Sequence, residues 1–183
     1  MTRHAILMVA AMALGLFGIC APAVIPPVPR LIWNATASTP IGLYALRPAV
    51  RLRVSELVAV QPPAPIARYL ASGGFLPLGV LLLKHIAALP GQTVCRVKDA
   101  ITVDDIALGD AHDRDHLGRL LPRWSGCRTL LPGQVFLMNA TVPDSLDGRY
   151  FGPFPATSIV ARAVPIWAAE ADGGRLIWRV VPR

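Results

Sequence analysis

A chain of 183 residues with a formal net charge of +7 has room for one domain of ordinary size once an apolar terminal segment is set aside. The positive balance suits anionic lipid headgroups as well as nucleic acid. No zinc-finger spacing, aromatic RNA-binding motif or Lys/Arg run accompanies it, so nucleic acid is set aside as a partner. With 18 Pro and 15 Gly, short strands and turns are expected rather than a helical bundle.

Residues 5–25, AILMVAAMALGLFGICAPAVI, hold no charge, a run sufficient to cross a bilayer as a helix. The expectation is an uncleaved membrane anchor over residues 1–27, followed by one domain over 28–183. The rival is a cleaved signal peptide with Ala21-Pro22-Ala23 as its cleavage site. The apolar run exceeds a normal signal core, and a proline in that site fits poorly. Cys20 follows the bulky Ile19, which argues against lipid attachment. Arg3 on one side and Arg30 on the other leave the positive-inside rule balanced, so charge does not set the orientation. Pro26, Pro27 and Pro29 form a stiff, extended spacer.

Asn34-Ala35-Thr36-Ala37-Ser38-Thr39-Pro40-Ile41-Gly42-Leu43-Tyr44 comes next. Ser38 carries a hydroxyl nucleophile beside the small Ala37, and Thr36 offers a second hydroxyl towards a developing oxyanion. Pro40 and Gly42 would fix how the serine is presented. Alone, the stretch reads first as a Ser/Thr/Pro/Gly turn leaving a membrane segment, and only the later motifs reverse that.

Short apolar runs cut by Pro and Gly then follow at 57–60, 79–88, 93–97, 101–108, 134–138, 158–167 and 175–181. Their Val, Ile and Leu content predicts strands of a compact, mainly β domain, with one short helix near 64–72. Residues 109–129 are polar and read as a solvated loop. His112 and His116 have the spacing of helical metal ligands but no accompanying glutamate motif, so no metal is assigned. Of the three cysteines, Cys20 lies in the apolar run; Cys95 and Cys127 could pair if the domain lies outside the cytoplasm.

Sixteen arginines stand against only two lysines, Lys84 and Lys98. Lys84 sits in the apolar run 79–88, and in a strand Leu82, Lys84 and Ile86 share one face. Burial disfavours the ammonium form, and a neutral lysine can take a proton from a serine, which arginine cannot. The plainer reading is a charge guarding an edge strand. A third stretch, Met138 to Pro153, contains Ser145, Asp147 and Arg149. These alternate, so an extended chain would project them to one side: Asp147 and Arg149 as an ion pair, Ser145 as a partner for the lysine. Asp147-Gly148 also reads as a hairpin turn.

Ser38 in Ser-x-Pro-x-Gly-Leu-Tyr, Lys84 ahead of Leu-Pro-Gly, and Ser-x-Asp-x-Arg-Tyr-Phe-Gly, in that order, resemble the bacterial type I signal peptidases, and more closely their conjugative-transfer, TraF-like branch. The resemblance implies a mainly β catalytic domain on one N-terminal transmembrane helix, facing the periplasm from the inner membrane. It implies Ser38 as nucleophile and Lys84 as general base. The Ser38 N–H and the Thr36 hydroxyl would form the oxyanion hole, with Ser145, Asp147 and Arg149 in support. The substrate would be a protein precursor, a pilin or a preprotein, cut beside membrane lipid without cofactor or metal; a pilin product could be linear or cyclic. Two departures stand out: one residue fewer between serine and proline than in general signal peptidases, and Gly148 where serine is common. Alternatives are a housekeeping signal peptidase and a non-catalytic, membrane-anchored scaffold of a pilus or secretion apparatus. Oligomeric state is not legible.

Overall fold

The computed structural model describes residues 3–24, 30–169 and 176–178. The chain divides into two units, Met1–Arg30 and Leu31–Arg183. In the first, helix α1 spans Arg3–Val24, with Ile6, Leu7, Met12, Leu14, Leu16 and Phe17 exposed. Its side chains are described without a break only over residues 3–18. Among the described residues no helix is long and apolar enough to cross a membrane. The proline-rich spacer of Pro26, Pro27 and Pro29 lies outside the described residues.

The second unit is mainly β. Its larger sheet has eight strands. In chain order they are β1 (Leu31–Asn34), β2 (Gly42–Arg47), β3 (Leu57–Val60), β4 (Leu82–Ala88), β9 (Gln134–Leu137), β10 (Phe154–Pro155), β11 (Ile159–Ala169) and β12 (Leu176–Trp178). The spatial order is β1-β2-β11-β3-β4-β9-β10, with β12 paired to β11, and every described pairing in it is antiparallel. The smaller sheet runs β7-β6-β5-β8, from β5 (Thr93–Val97), β6 (Ala100–Val103), β7 (Ile106–Asp110) and β8 (Gly126–Thr129). Helix α2 spans Ala64–Ser72, entered through Pro63 and closed at Gly73. Helix α3 is one turn, Gly148–Phe151.

Each apolar run expected as a strand contains one. Two expectations need correction. The run 101–108 is a hairpin, broken at Asp104-Asp105, where both residues have positive φ; aspartate tolerates that region, and two such residues make the tight turn that matches strand twist. The polar stretch 109–129 is not all loop: it ends β7, carries an isolated bridge between Arg114 and Leu120, and holds β8. Of the expected strand at 175–181, residues 176–178 are strand and the remainder lies outside the described residues.

Strand alternation divides the interior into packed clusters. Leu82 and Ile86 of β4 join Val58, Val60, Val135, Leu137, Phe154 and, from α2, Leu70. Phe136 and Met138 point the other way, onto Val94, Ile101 and Val103 of the small sheet. Leu83 packs with Tyr44, Ala59 and Ala161. Lys84, between Leu82 and Ile86, is thus carried on a strand that is apolar on both faces.

Cys95 and Cys127 lie opposite each other on β5 and β8 and form a disulfide that closes a separation of 32 residues. Replacing both by alanine is expected to lower stability by about 2–4 kcal/mol, read as a lower denaturation midpoint. The large sheet does not depend on that link, so activity per folded molecule should persist.

Candidate active site

Ser38 sits in the turn between β1 and β2, and the turn is knotted by the residue that starts it. Buried Asn34 donates through Nδ2 to the carbonyls of Thr36, Thr39 and Pro40 at 2.9, 2.8 and 3.1 Å. Its Oδ1 accepts from the Thr36 N–H at 3.2 Å and from the Thr36 hydroxyl at 2.8 Å. Such a short side chain, bonding its own backbone a few residues on, replaces the ladder that the turn has left. Tyr44 reaches back to donate to the Pro40 carbonyl at 2.6 Å; burial pushes its phenol up to about 12, so it stays a donor. At Gly42 a Cβ would run into the backbone of Trp167 and Ala168 on β11. The spaced motif from Asn34 to Tyr44 is therefore the specification of one rigid turn.

Within it, the Thr36 and Ser38 hydroxyls stand 3.3 Å apart. Asn34 Oδ1 can only accept, so the Thr36 proton is committed there, and the Ser38 hydroxyl donates to Thr36. To donate to any other acceptor, the Thr36 hydroxyl would have to turn its proton away from Asn34.

Lys84 is 2% exposed. Its Nζ donates to Ser145 Oγ at 2.6 Å. Desolvation lowers its pKa from 10.5 to about 8; the nearby Asp147 charge opposes this, and Arg149 adds to it. Ser38 and Lys84 line one cavity of about 700 Å³, together with Thr36, Ser145, Tyr150 and an apolar wall that includes Leu76 and Leu82. No hydrogen bond joins Ser38 to Lys84. Such contacts often close only when substrate binds.

The third stretch is neither extended nor a hairpin turn. Asp147 caps α3, accepting from the Arg149 N–H at 3.1 Å. The Arg149 side chain returns to Asp147 through Nε at 3.0 Å and Nη2 at 3.0 Å. It also donates to the carbonyls of Val142 at 2.6 Å and Ser145 at 3.2 Å. The pair is 0% and 1% exposed. One guanidinium thus gathers the loop that presents Ser145 to Lys84, using the fork geometry that arginine supplies. From the small-sheet side, Arg96 donates to the Arg149 carbonyl at 2.8 Å and Trp124 to the Gly148 carbonyl at 3.0 Å.

Gly148 has no space for a side chain: a Cβ would stand 2.6 Å from the Phe136 ring and 2.7 Å from the Leu137 carbonyl. Gly148→Ser is expected to cost about 1–3 kcal/mol and to reduce activity by displacing Asp147, as thermal melts and turnover would show.

Sequence reasoning passed over Asn139. It is 2% exposed, and its Nδ2 donates to the carbonyls of Ser38 at 2.5 Å and Leu83 at 3.1 Å. Its backbone N–H donates to Asp147 Oδ2 at 3.0 Å, and its carbonyl accepts from Arg149 at 3.3 Å. The one available signal was its position, an amide immediately after the apolar run 134–138. His112 and His116 line the same cavity, but no metal-binding group of side chains forms among the described residues.

A family model described as signal peptidase, peptidase S26, matches residues 2–168. A conjugal transfer protein TraF of Agrobacterium fabrum is 32% identical over 147 residues, covering 75% of this chain and 82% of that protein. A plasmid transfer protein TraF of Escherichia coli is 32% identical over 143 residues, covering 73% and 80%. Among solved structures, a signal peptidase I from Enterococcus faecalis V583 aligns with 61% of this chain and 96% of its own, at 18% identity and a TM-score of 0.37.

Proposed function

We propose, from the premise that this chain belongs to the signal peptidase family, peptidase S26, in its TraF-like branch, that it is a membrane-bound serine endopeptidase working through Ser38 and Lys84. A peptidase activity of signal-peptidase type follows from the family. The observation that carries the finer reading is a desolvated amine, with its pKa lowered to about 8, in the same cavity as a presented serine.

In this reading the neutral amine of Lys84 takes the hydroxyl proton as Ser38 Oγ adds to a peptide carbonyl. The Ser38 N–H and the rotated Thr36 hydroxyl hold the oxyanion. Collapse breaks the C–N bond, and the lysine ammonium returns the proton to the leaving amine. An ester remains on Ser38. Water then resolves it to a linear product, or the substrate's own amino terminus resolves it to a cyclic one; a tethered amine has the advantage of high effective molarity. Ser145 orients Lys84, and Asp147 with Arg149 holds Ser145.

Named relatives act in conjugal and plasmid transfer, which supports a pilin precursor as substrate. The uncharged run 5–25 and the exposed apolar side chains of α1 support a single-pass anchor in the inner membrane, beside membrane lipid. The Cys95–Cys127 disulfide suits an oxidising compartment and supports a periplasmic domain over 28–183.

The test is intact mass spectrometry of a candidate pilin precursor co-expressed with wild type, Ser38→Ala or Lys84→Ala. Processing by wild type alone is expected, and a product lighter than the linear fragment by one water identifies cyclisation. Processing that persists in both variants would overturn the reading and favour a scaffold.

A further inference from the structure

The side chain of Asn139 is saturated, and its orientation is fixed by its neighbours. The Ser38 and Leu83 carbonyls can only accept, so the atom between them is Nδ2; Thr39 Oγ1 stands at 3.3 Å from it. The backbone N–H of His85 can only donate, so the atom facing it at 3.0 Å is Oδ1. That same Oδ1 lies 3.0 Å from His85 Nδ1. An amide oxygen cannot donate, so the Nδ1 of His85 carries a proton.

Leu83 and His85 are the residues on either side of Lys84. One amide therefore grips the peptide units flanking the lysine, Leu83 through Nδ2 and His85 through Oδ1, and with the same Nδ2 it holds the carbonyl of Ser38. Its own backbone is held by Asp147 and Arg149. We infer that Asn139 is a positioning residue: it sets the nucleophile turn against strand β4, and the Asp147–Arg149 pair acts on Ser38 through it. The inference rests on the peptidase reading above and deepens it.

Asn139→Asp is the informative change. Its size is unchanged, but a carboxylate would face the Ser38 and Leu83 carbonyls with no proton to donate. The turn should be pushed off β4. Misplacing a nucleophile by about 1 Å costs on the order of 100-fold in rate.

The experiment uses full-length enzyme in detergent micelles with a precursor peptide. Nitrogen-15 NMR of ring-labelled histidine, assigned through His85→Gln, reads the tautomer of wild type. Near-ultraviolet circular dichroism and melting confirm that the variants fold. Turnover is measured on the alkaline plateau, so that any shift of the Lys84 pKa by the new charge does not count.

The expected result is Nδ1–H on neutral His85. For folded Asn139→Asp, kcat should fall about 100-fold with KM little changed. A serine-directed phosphonate should label Ser38 more slowly by a similar factor. A purely structural asparagine would lower the melting temperature and leave kcat per folded molecule intact; that result overturns the inference while an active wild type and a dead Ser38→Ala keep the peptidase reading. A neutral His85 protonated only on Nε2 overturns it without any variant. If Asn139→Asp does not fold, Asn139→Ser replaces it, and an undiminished kcat there overturns the inference equally. A wild type with no activity overturns both readings.

Discussion

Lys84→Met should fold at least as stably as the parent and cleave nothing. Methionine matches the aliphatic stem of lysine and removes only the amine, so the apolar surroundings of β4 stay filled. The lowered pKa of Lys84, from 10.5 to about 8, corresponds to roughly 3 kcal/mol of cost in keeping the ammonium buried, which methionine avoids. Turnover should fall by at least about 10⁴-fold, as when one member of a cooperating pair is removed. Lys84→Arg should be equally inactive, because a guanidinium does not lose its proton. A Lys84→Met enzyme that keeps a tenth of its turnover would exclude the lysine as base.

With Lys84 as the base, the pH dependence follows from the same group. The active form would be the neutral amine, so activity should be low below the pKa, half-maximal near pH 8 and flat about one unit above it. At pH 7 about one tenth of the enzyme should be competent. Stability follows with its own sign. The folded pKa lies below the unfolded one. Below about 8 both states hold the proton and the penalty is constant; between about 8 and 10.5 the unfolded chain still binds a proton that the folded one has lost, so stability rises with pH. Lys84→Met should abolish that rise.

Arg149→Ala should cause the largest loss of stability. It leaves Asp147, 0% exposed, as an uncompensated buried charge and frees the carbonyls of Val142 and Ser145. Breaking one side of such a pair costs about 3–5 kcal/mol, or roughly 6–20 °C in Tm for a domain of this size. Asp147→Asn keeps the shape and should be milder. The two changes should also move the activity limb in opposite directions. Asp147 raises the pKa of Lys84 and Arg149 lowers it, so Arg149→Ala shifts the limb to higher pH and Asp147→Asn to lower pH. Limbs that do not move would mean that neither charge is felt at Lys84.

Much of this was legible in the chain. Lys84 could be singled out because it is one of only two lysines and stands in an apolar run; that run is β4, buried on both faces. Apolar runs between Pro and Gly found the strands from β3 to β7 and β9, β11 and β12, because each holds a run of apolar residues. β1 and β2 escaped because they flank and share the motif that reads as a turn, and the polar β8 and the two-residue β10 because neither has an apolar period to read. The one-turn helix at Gly148 escaped because Asp-Gly is a good hairpin turn, and what makes it a helix cap is distant packing: the Phe136 ring against Gly148 and Arg96 on the Arg149 carbonyl. Asn139 was hidden for the same reason. An asparagine after a strand looks like any other turn former, and its partners at Ser38 and Leu83 lie 101 and 56 residues away.

The central claim is that Ser38 forms the acyl-enzyme, and the direct measurement is to trap it. Full-length enzyme mixed with a precursor peptide is acid-quenched within the first turnover, digested and mapped by mass spectrometry. An ester on the Ser38 peptide that hydroxylamine removes is expected, absent from Ser38→Ala and from Lys84→Met. An acyl group on another residue, or a catalytically active enzyme that shows no ester under conditions where the acyl-enzyme should accumulate, would contradict it.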